Sequence, residues 1–461
     1  MVENNPTAGR VQDPGIKAIY SRESRMQAWL DVEAALAGAQ AELGMIPAAA
    51  AARIAEVSRV ELLDAQRIAE ATLRTSHPLV PLVWELARVA GEDAGGWVHW
   101  GATTQNIVQT GDILVLRRAH QTFQRHLADA LRSIAVLAER GAEMPIAGRT
   151  HGQHAVPATF GFKMAVWADE LCRHVERFRQ CESRVFVAML GGAVGNYASM
   201  GQHGPAVQAG VARRLGLEPM AVPARSLGDH LAEYVSLIGL LGATTGKISR
   251  EIYTLMKTEF GELEEPMPDG TVGSSTMPQK RNPQLCQDMI ASSTTMRVMV
   301  QLAHEAMQME HEADRSRGLM MQEAVETACV ATGEVLSRLV VVLAGLKVFP
   351  QRMRSNLDLS NGLIMSEAVM LSLGETIGRQ AAHDVVYEAA QQAGKGKGSF
   401  ATLLAEDPEV AGRLGDDVRE LLDPVRYTGL SAQLAREAAQ RATAAADDID
   451  ARLGDAVQQR P

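Results

Sequence analysis

The sequence predicts an all-α protein organised around a bundle of long helices. Three observations carry that prediction. Proline is absent between Pro81 and Pro145, between Pro223 and Pro266, and between Pro283 and Pro350, so nothing of that kind interrupts a helix there. Apolar residues recur at helical spacing inside these stretches, as in Leu231, Val235, Leu237, Ile238, Leu241, Ile248, Ile252 and Leu255. Aromatics are only 4% of the chain while Ala, Leu, Glu, Arg and Met abound, and no alternating strand blocks or βαβ rhythm appear. A helix of about 40 residues spans roughly 60 Å and needs neighbours along its length, which a bundle supplies.

Taken in order, residues 1–14 read as a loose polar arm with no apolar signal-peptide core. Ser24 to Leu43 reads as an amphipathic helix through Met26, Leu30, Val32, Ala35 and Leu36, ended by Gly44, with Pro47 opening the next. Helix is expected from Ala48 to Ala71, a break at Thr75-Ser76-His77-Pro78, and helix again from Val80 to Val89. Gly91 to Thr104 is glycine-rich and irregular. The three long stretches follow, and Gln284 to about Leu346 reads as continuous helix. From Phe349 the helices shorten and break at Pro408 and Pro424, with Gly394-Lys395-Gly396-Lys397-Gly398 a solvated loop and Ala432 to Leu453 a closing helix.

A chain of 461 residues exceeds one ordinary domain and can bury a large core. Its net charge of −10, with basic and acidic residues interspersed, argues against a nucleic-acid surface. No run of about 18 apolar residues predicts a membrane span. Cys172, Cys181, Cys286 and Cys329 lack CxxC spacing and read as free thiols in a reducing cytoplasm.

The most demanding stretch is Gly273-Ser274-Ser275-Thr276-Met277-Pro278-Gln279-Lys280-Arg281-Asn282-Pro283. Glycine and serines give mobility and hydroxyls, and two prolines forbid regular helix. Lys280 and Asn282 add a cation and an amide, and the helix expected next offers an anion-friendly N-terminus. The set suits a small substrate bearing carboxylates, although a polar turn between helices would look similar. The string resembles the fumarase/aspartase superfamily signature GSSxMPxKxNP at every fixed position.

That resemblance implies three helical domains, here 1–104, 105–348 and 349–461. The central one would be a five-helix bundle that four subunits pool into a twenty-helix core, each active site drawing on three subunits. It also organises two further segments. Gly148-Arg149-Thr150-His151-Gly152-Gln153-His154 resembles the family's T-H-x-Q block, which assigns carboxylate binding to Thr150 and Gln153 and a general-acid or orienting role to His151. Arg149 and Arg281 read equally as charge complementarity to an anionic substrate and as structural ion pairs. Read alone, His151 and His154 could instead be metal ligands on one helical turn, or structural histidines. Trp100-Gly101-Ala102-Thr103-Thr104-Gln105-Asn106 resembles the family's G-x-T-S-x-D block and implies that Thr103, Thr104 and Gln105 hold a substrate carboxylate. Thr104 stands where Ser is usual, and Asn106 where Asp is usual, so the hydrogen-bond network around the substrate should differ. Without the resemblance the segment reads as a helix cap. Ser76-His77 resembles a histidine segment near the substrate of adenylosuccinate lyases, and equally a surface turn before proline.

The family reaction is β-elimination through an aci-carboxylate, releasing fumarate without metal or cofactor. The resemblance makes Ser274 the base, with Ser275, Met277 and Asn282 contacting substrate and Lys280, Asn282 and the helix end stabilising the developing charge. Its branch is less determined. Ala34 to Pro47 and Val98 to Thr103 look like 3-carboxymuconate cycloisomerases, whereas His151 is kept as in adenylosuccinate lyases. The Arg-Asp pair of the latter becomes Arg225-Ser226-Leu227-Gly228-Asp229, against a nucleotide substrate. Expected activity is fumarate release from a substituted succinate such as an N-substituted aspartate or nitrosuccinate. The alternatives are lactone formation from a carboxymuconate, an adenylosuccinate lyase, and an inactive scaffold.

Overall fold

A computed structural model describes residues 7–268, 270–271, 273–414 and 417–458. Five long helices form its centre, Thr104–Arg140, Phe160–Val185, Asp229–Leu255, Gln284–Ala306 and Arg315–Ala344, here the first to fifth bundle helices. Each buries a stripe at three- and four-residue spacing; in the first, Phe123, Leu127, Leu131, Ile134 and Ala138 are all at most 1% exposed. Each large side chain so buried contributes about 1.5–3 kcal/mol. In the third, Val235, Ile238, Leu241, Ile248, Ile252 and Leu255 are buried as the pattern predicts, and Leu231 and Leu237 pack at the edge. The third and fourth helices come unusually close. A Cβ on Gly239 would lie 2.4 Å from Val300 Cγ2, and one on Gly242 3.0 Å from the Ser293 carbonyl, so small residues set the contact.

The expectation of one helix from Gln284 to Leu346 is overturned. Helix stops at Ala306 and resumes at Arg315. His311 takes a left-handed φ of 53°, and the Asp314 carboxylate caps the new helix by accepting from Ser316 N at 2.8 Å. The reversal lets the fifth helix lie back along the fourth. The single helix expected over 48–71 also divides, into Ala48–Val57 and Ala65–Thr75, because Asp64 caps a new start through Gln66 N and Arg67 N. Residues 91–103 hold only the short turn Glu92–Gly95.

Strands occur where none were expected: among the described residues there are three two-stranded sheets. The largest is the antiparallel hairpin Pro145–Thr150 and Gln153–Thr159, which carries the T-H-x-Q segment. Its two turn residues, His151 and Gly152, have φ of 52° and 76°, the left-handed pair that a two-residue hairpin requires. His151 and His154 therefore lie on a turn and a strand, not on one helical turn.

The helices from Pro350 to Leu421 gather partly around a second apolar cluster that includes Val369, Leu373, Val386, Phe400, Leu404 and Val410. The closing helix Ser431–Gln458 returns to the bundle, packing on its first two helices through Ala439, Ala442, Ala446 and Ile449. Part of the loose-arm expectation, residues 1–6, lies outside the described residues. The rest is not loose: Ala8–Arg10 forms a tight turn, and Thr7 is 3% exposed against the fourth and fifth helices. The cysteines are free, as expected, and Cys181, Cys286 and Cys329 are buried. The fifth helix is apolar and long enough to cross a membrane by composition, yet it is packed among its neighbours.

Candidate active site

The serine loop begins with a close approach that only glycine permits: a Cβ on Gly273 would lie 2.1 Å from the Lys280 carbonyl. Asn282 Nδ2 donates to the Gly273 carbonyl at 2.6 Å and ties the loop's ends together. One amide hydrogen of Asn282, expected on substrate, is thus committed to the loop itself. Ser274 Oγ accepts from the backbone N–H groups of Thr276 and Met277 at 3.4 and 3.2 Å. Ser275, Met277 and Lys280 are exposed at the surface of the chain. The Lys280 ammonium meets no carboxylate among the described residues, while Arg281 lies 3.5 Å from Glu264.

One expectation about this loop fails. The N-terminus of the fourth bundle helix is not free to receive a substrate anion, because Glu265 already occupies it. This fully buried carboxylate accepts from Leu285 N at 3.0 Å and Cys286 N at 2.9 Å. Burial raises its pKa, and those two N–H groups oppose the shift.

The hairpin places Thr150, His151 and Gln153 together at an exposed tip, with Thr150 paired opposite Gln153. Arg149 is not with them. Its guanidinium makes two bonds to Glu262, Nη1 to Oε2 at 3.1 Å and Nη2 to Oε1 at 2.6 Å, and stacks 5.0 Å above the Phe260 ring. The fork is matched to a fully buried carboxylate and ties the hairpin to the segment that holds Glu262. His154 is half-buried, and burial followed by Arg149 lowers its pKa.

At the other end of the bundle, Thr103 stands at the N-cap of the first helix, with Thr104 and Gln105 in its first turn. Asn106 does not reach outward. It is fully buried; its Oδ1 accepts from Thr103 N at 3.2 Å and Gly192 N at 3.0 Å, and its Nδ2 donates to the Gly192 carbonyl at 3.4 Å. An aspartate there would set a carboxylate oxygen against a carbonyl, so the departure from the family pattern serves the 189–192 segment rather than the substrate. His77 Nδ1 accepts from Leu79 N and Val80 N, both at 3.2 Å, which fixes its remaining proton on Nε2. Burial, then the neighbouring His99, lowers its pKa. Ser76 is exposed with φ of 51°.

Sequence reasoning missed two groups beside these residues. His99, strained at φ 61°, donates from Nδ1 to Oε1 of Glu33 at 2.6 Å, and Glu33 is 2% exposed. The signal was an acid on the apolar face of the helix Arg22–Glu42. Arg225 is half-buried; among the described residues its side chain bonds to the Ala193 carbonyl through Nη1 and its buried Nε has no partner. Desolvation lowers its pKa.

The structure does not bring the predicted segments together within one chain. The first bundle helix has 37 residues, about 55 Å at the usual helical rise, and separates Thr103–Thr104 at its start from the hairpin beyond its end. The serine loop sits at the hairpin's end. The run Glu262-Leu263-Glu264-Glu265 holds Arg149, then Arg281, then the fourth helix.

The fold is an all-α bundle that exposes serine, threonine, histidine and lysine at its two ends. A family profile described as lyase matches residues 9–299, and one described as adenylosuccinate lyase C-terminus matches residues 362–438. An N-acetyl-S-(2-succino)cysteine lyase of Dickeya dadantii (strain 3937) is 38% identical over 421 residues, 91% of this chain and 92% of that protein. A 3-carboxy-cis,cis-muconate cycloisomerase of Pseudomonas aeruginosa is 40% identical over 421 residues, covering 90% and 91%. The crystal structure of a fumarate lyase from Mesorhizobium sp. BNC1 superposes with a TM-score of 0.86 at 35% identity, over 93% of this chain and 98% of that one. The chain belongs to the fumarase/aspartase superfamily and is an enzyme, a lyase.

Proposed function

We propose that the protein catalyses β-elimination from a 2-substituted succinate and releases fumarate, with a small leaving group that is not a nucleotide. The observation that carries this reading is Ser274: two backbone N–H groups aim at its Oγ, and such donors favour an alkoxide. The alkoxide removes a proton from C3 of the substrate. The C–H electron pair is held first as an aci-carboxylate, where Lys280 meets the added charge, and then becomes the double bond as the C2 substituent leaves. His151 delivers the proton that the leaving group needs. Thr103, Thr104, Gln105, Thr150 and Gln153 hold the two carboxylates, with Ser275, Met277, Ser76 and His77 around the substrate. Arg225 supplies a further cation with no acidic partner among the described residues. Because these residues lie at opposite ends of one chain, the site is shared between subunits, three of them in a homotetramer.

Two relatives named N-acetyl-S-(2-succino)cysteine lyase, 38% and 40% identical, extend the substrate class from amino- and nitrosuccinates to thioethers of succinate. The cycloisomerase relative favours a second reading, lactone formation from a carboxymuconate. A panel of N-acetyl-S-(2-succino)cysteine, N-substituted aspartates, nitrosuccinate, adenylosuccinate and 3-carboxymuconate, followed by the ultraviolet absorbance of fumarate, separates them. Fumarate from a succino-thioether or aminosuccinate, abolished in Ser274→Ala, is expected. Turnover of the muconate alone, or full activity in Ser274→Ala, would overturn the proposal.

A further inference from the structure

We propose that Arg10 is a positioning residue for the serine loop, clamping together the two stems from which the loop emerges. The proposal rests on the reading of that loop as catalytic. Arg10 Nη2 donates to the Pro266 carbonyl at 2.6 Å, on the stem entering the loop. Its Nη1 donates to Gln284 Oε1 at 3.0 Å, on the stem leaving it. The same Nη2 lies 3.7 Å from Glu265 Oε1, and the Arg10 side chain is 11% exposed. Glu265 makes the parallel connection from beneath, since it precedes the loop in sequence and bonds to Leu285 N and Cys286 N after it.

The arm bearing Arg10 is itself fastened. Thr7 bonds to Asp288 on the fourth bundle helix, and Arg338 of the fifth donates to Thr7 Oγ1 at 3.3 Å. Among the described residues of 273–283, the side-chain hydrogen bonds and ion pairs are internal to the loop, apart from Arg281 with Glu264 and Met267. The stems therefore set where Ser274 and Lys280 stand. A planar guanidinium reaches both acceptors at once, which an ammonium on a single point does not.

The test uses the full chain with Arg10→Ala and Arg10→Lys. Hydrogen exchange of residues 273–283 is read without substrate, and steady-state kinetics with the succinate that releases fumarate. In Arg10→Ala, exchange in the loop should rise while the bundle helices stay protected. There kcat should fall about tenfold with KM changed less than about twofold, since small misplacements of reacting groups act on turnover. Arg10→Lys should show the same split at smaller amplitude. Unchanged loop exchange, or exchange rising equally through the bundle, would overturn the clamp. Failure of the catalytic reading is distinguishable, because it appears as full activity in Ser274→Ala whatever Arg10 does to loop exchange.

Discussion

Replacing Glu262 by Ala tests how the hairpin that presents Thr150, His151 and Gln153 is held. Glu262 is fully buried and accepts three bonds, two from Arg149 at 3.1 and 2.6 Å and one from Asn356 Nδ2 at 2.7 Å. Removing it leaves the Arg149 guanidinium, only 15% exposed, without its counter-charge. Breaking a buried pair from one side costs about 3–5 kcal/mol, more than the pair contributes relative to an apolar replacement. Urea denaturation of wild type, Glu262→Ala, Arg149→Met and the double variant Glu262→Ala/Arg149→Met gives the cycle. The single Glu262 variant should lose about 3–5 kcal/mol, and the double variant should regain most of it. Hairpin exchange should rise in the single variant. A loss below about 1 kcal/mol, or a double variant worse than both singles, would refute the anchoring role.

Three shorter predictions follow from the same geometry. His151→Ala should lower kcat with little change in KM; a rise in KM alone, measured by steady-state kinetics, would contradict an acid role. Glu33→Leu should destabilise the fold by about 1–3 kcal/mol in urea denaturation, because the His99 Nδ1–H loses its buried acceptor, whereas Glu33→Gln, whose amide oxygen can still accept, should cost less. His174 is buried against Thr244 Oγ1 at 2.9 Å, and burial, then Arg177, depress its pKa to about 4. The unfolded chain binds the proton first as pH falls. This contribution to stability is therefore intact above about pH 6.5 and fades by up to about 3 kcal/mol towards pH 4. Denaturation midpoints of His174→Gln should show a flatter acid limb.

Much of the fold was legible because long helices leave a long record. The buried series from Val235 to Leu255 marks the third bundle helix without tertiary information. What escaped were reversals that place a histidine in the left-handed region. His311 turns the chain in a left-handed conformation that its neighbours do not announce. The hairpin was invisible because its turn pair is His-Gly, and its strands alternate only weakly. The serine loop announced itself by composition, but the partners of Arg149 and of the helix end after the loop, Glu262 and Glu265, did not. Those partners lie at sequence separations of 113 and 20–21 residues, and pairing at such distances is decided by packing alone.

The length of the first bundle helix has a genetic consequence. Because a threonine cap and a serine loop on the same polypeptide cannot meet, two differently crippled copies of the protein need not be crippled together. If the pocket is shared between subunits as proposed, chains carrying Thr104→Val and chains carrying Ser274→Ala should each lose activity alone and recover measurable turnover once unfolded, mixed and refolded, since some hybrid assemblies would contain a wholly intact pocket.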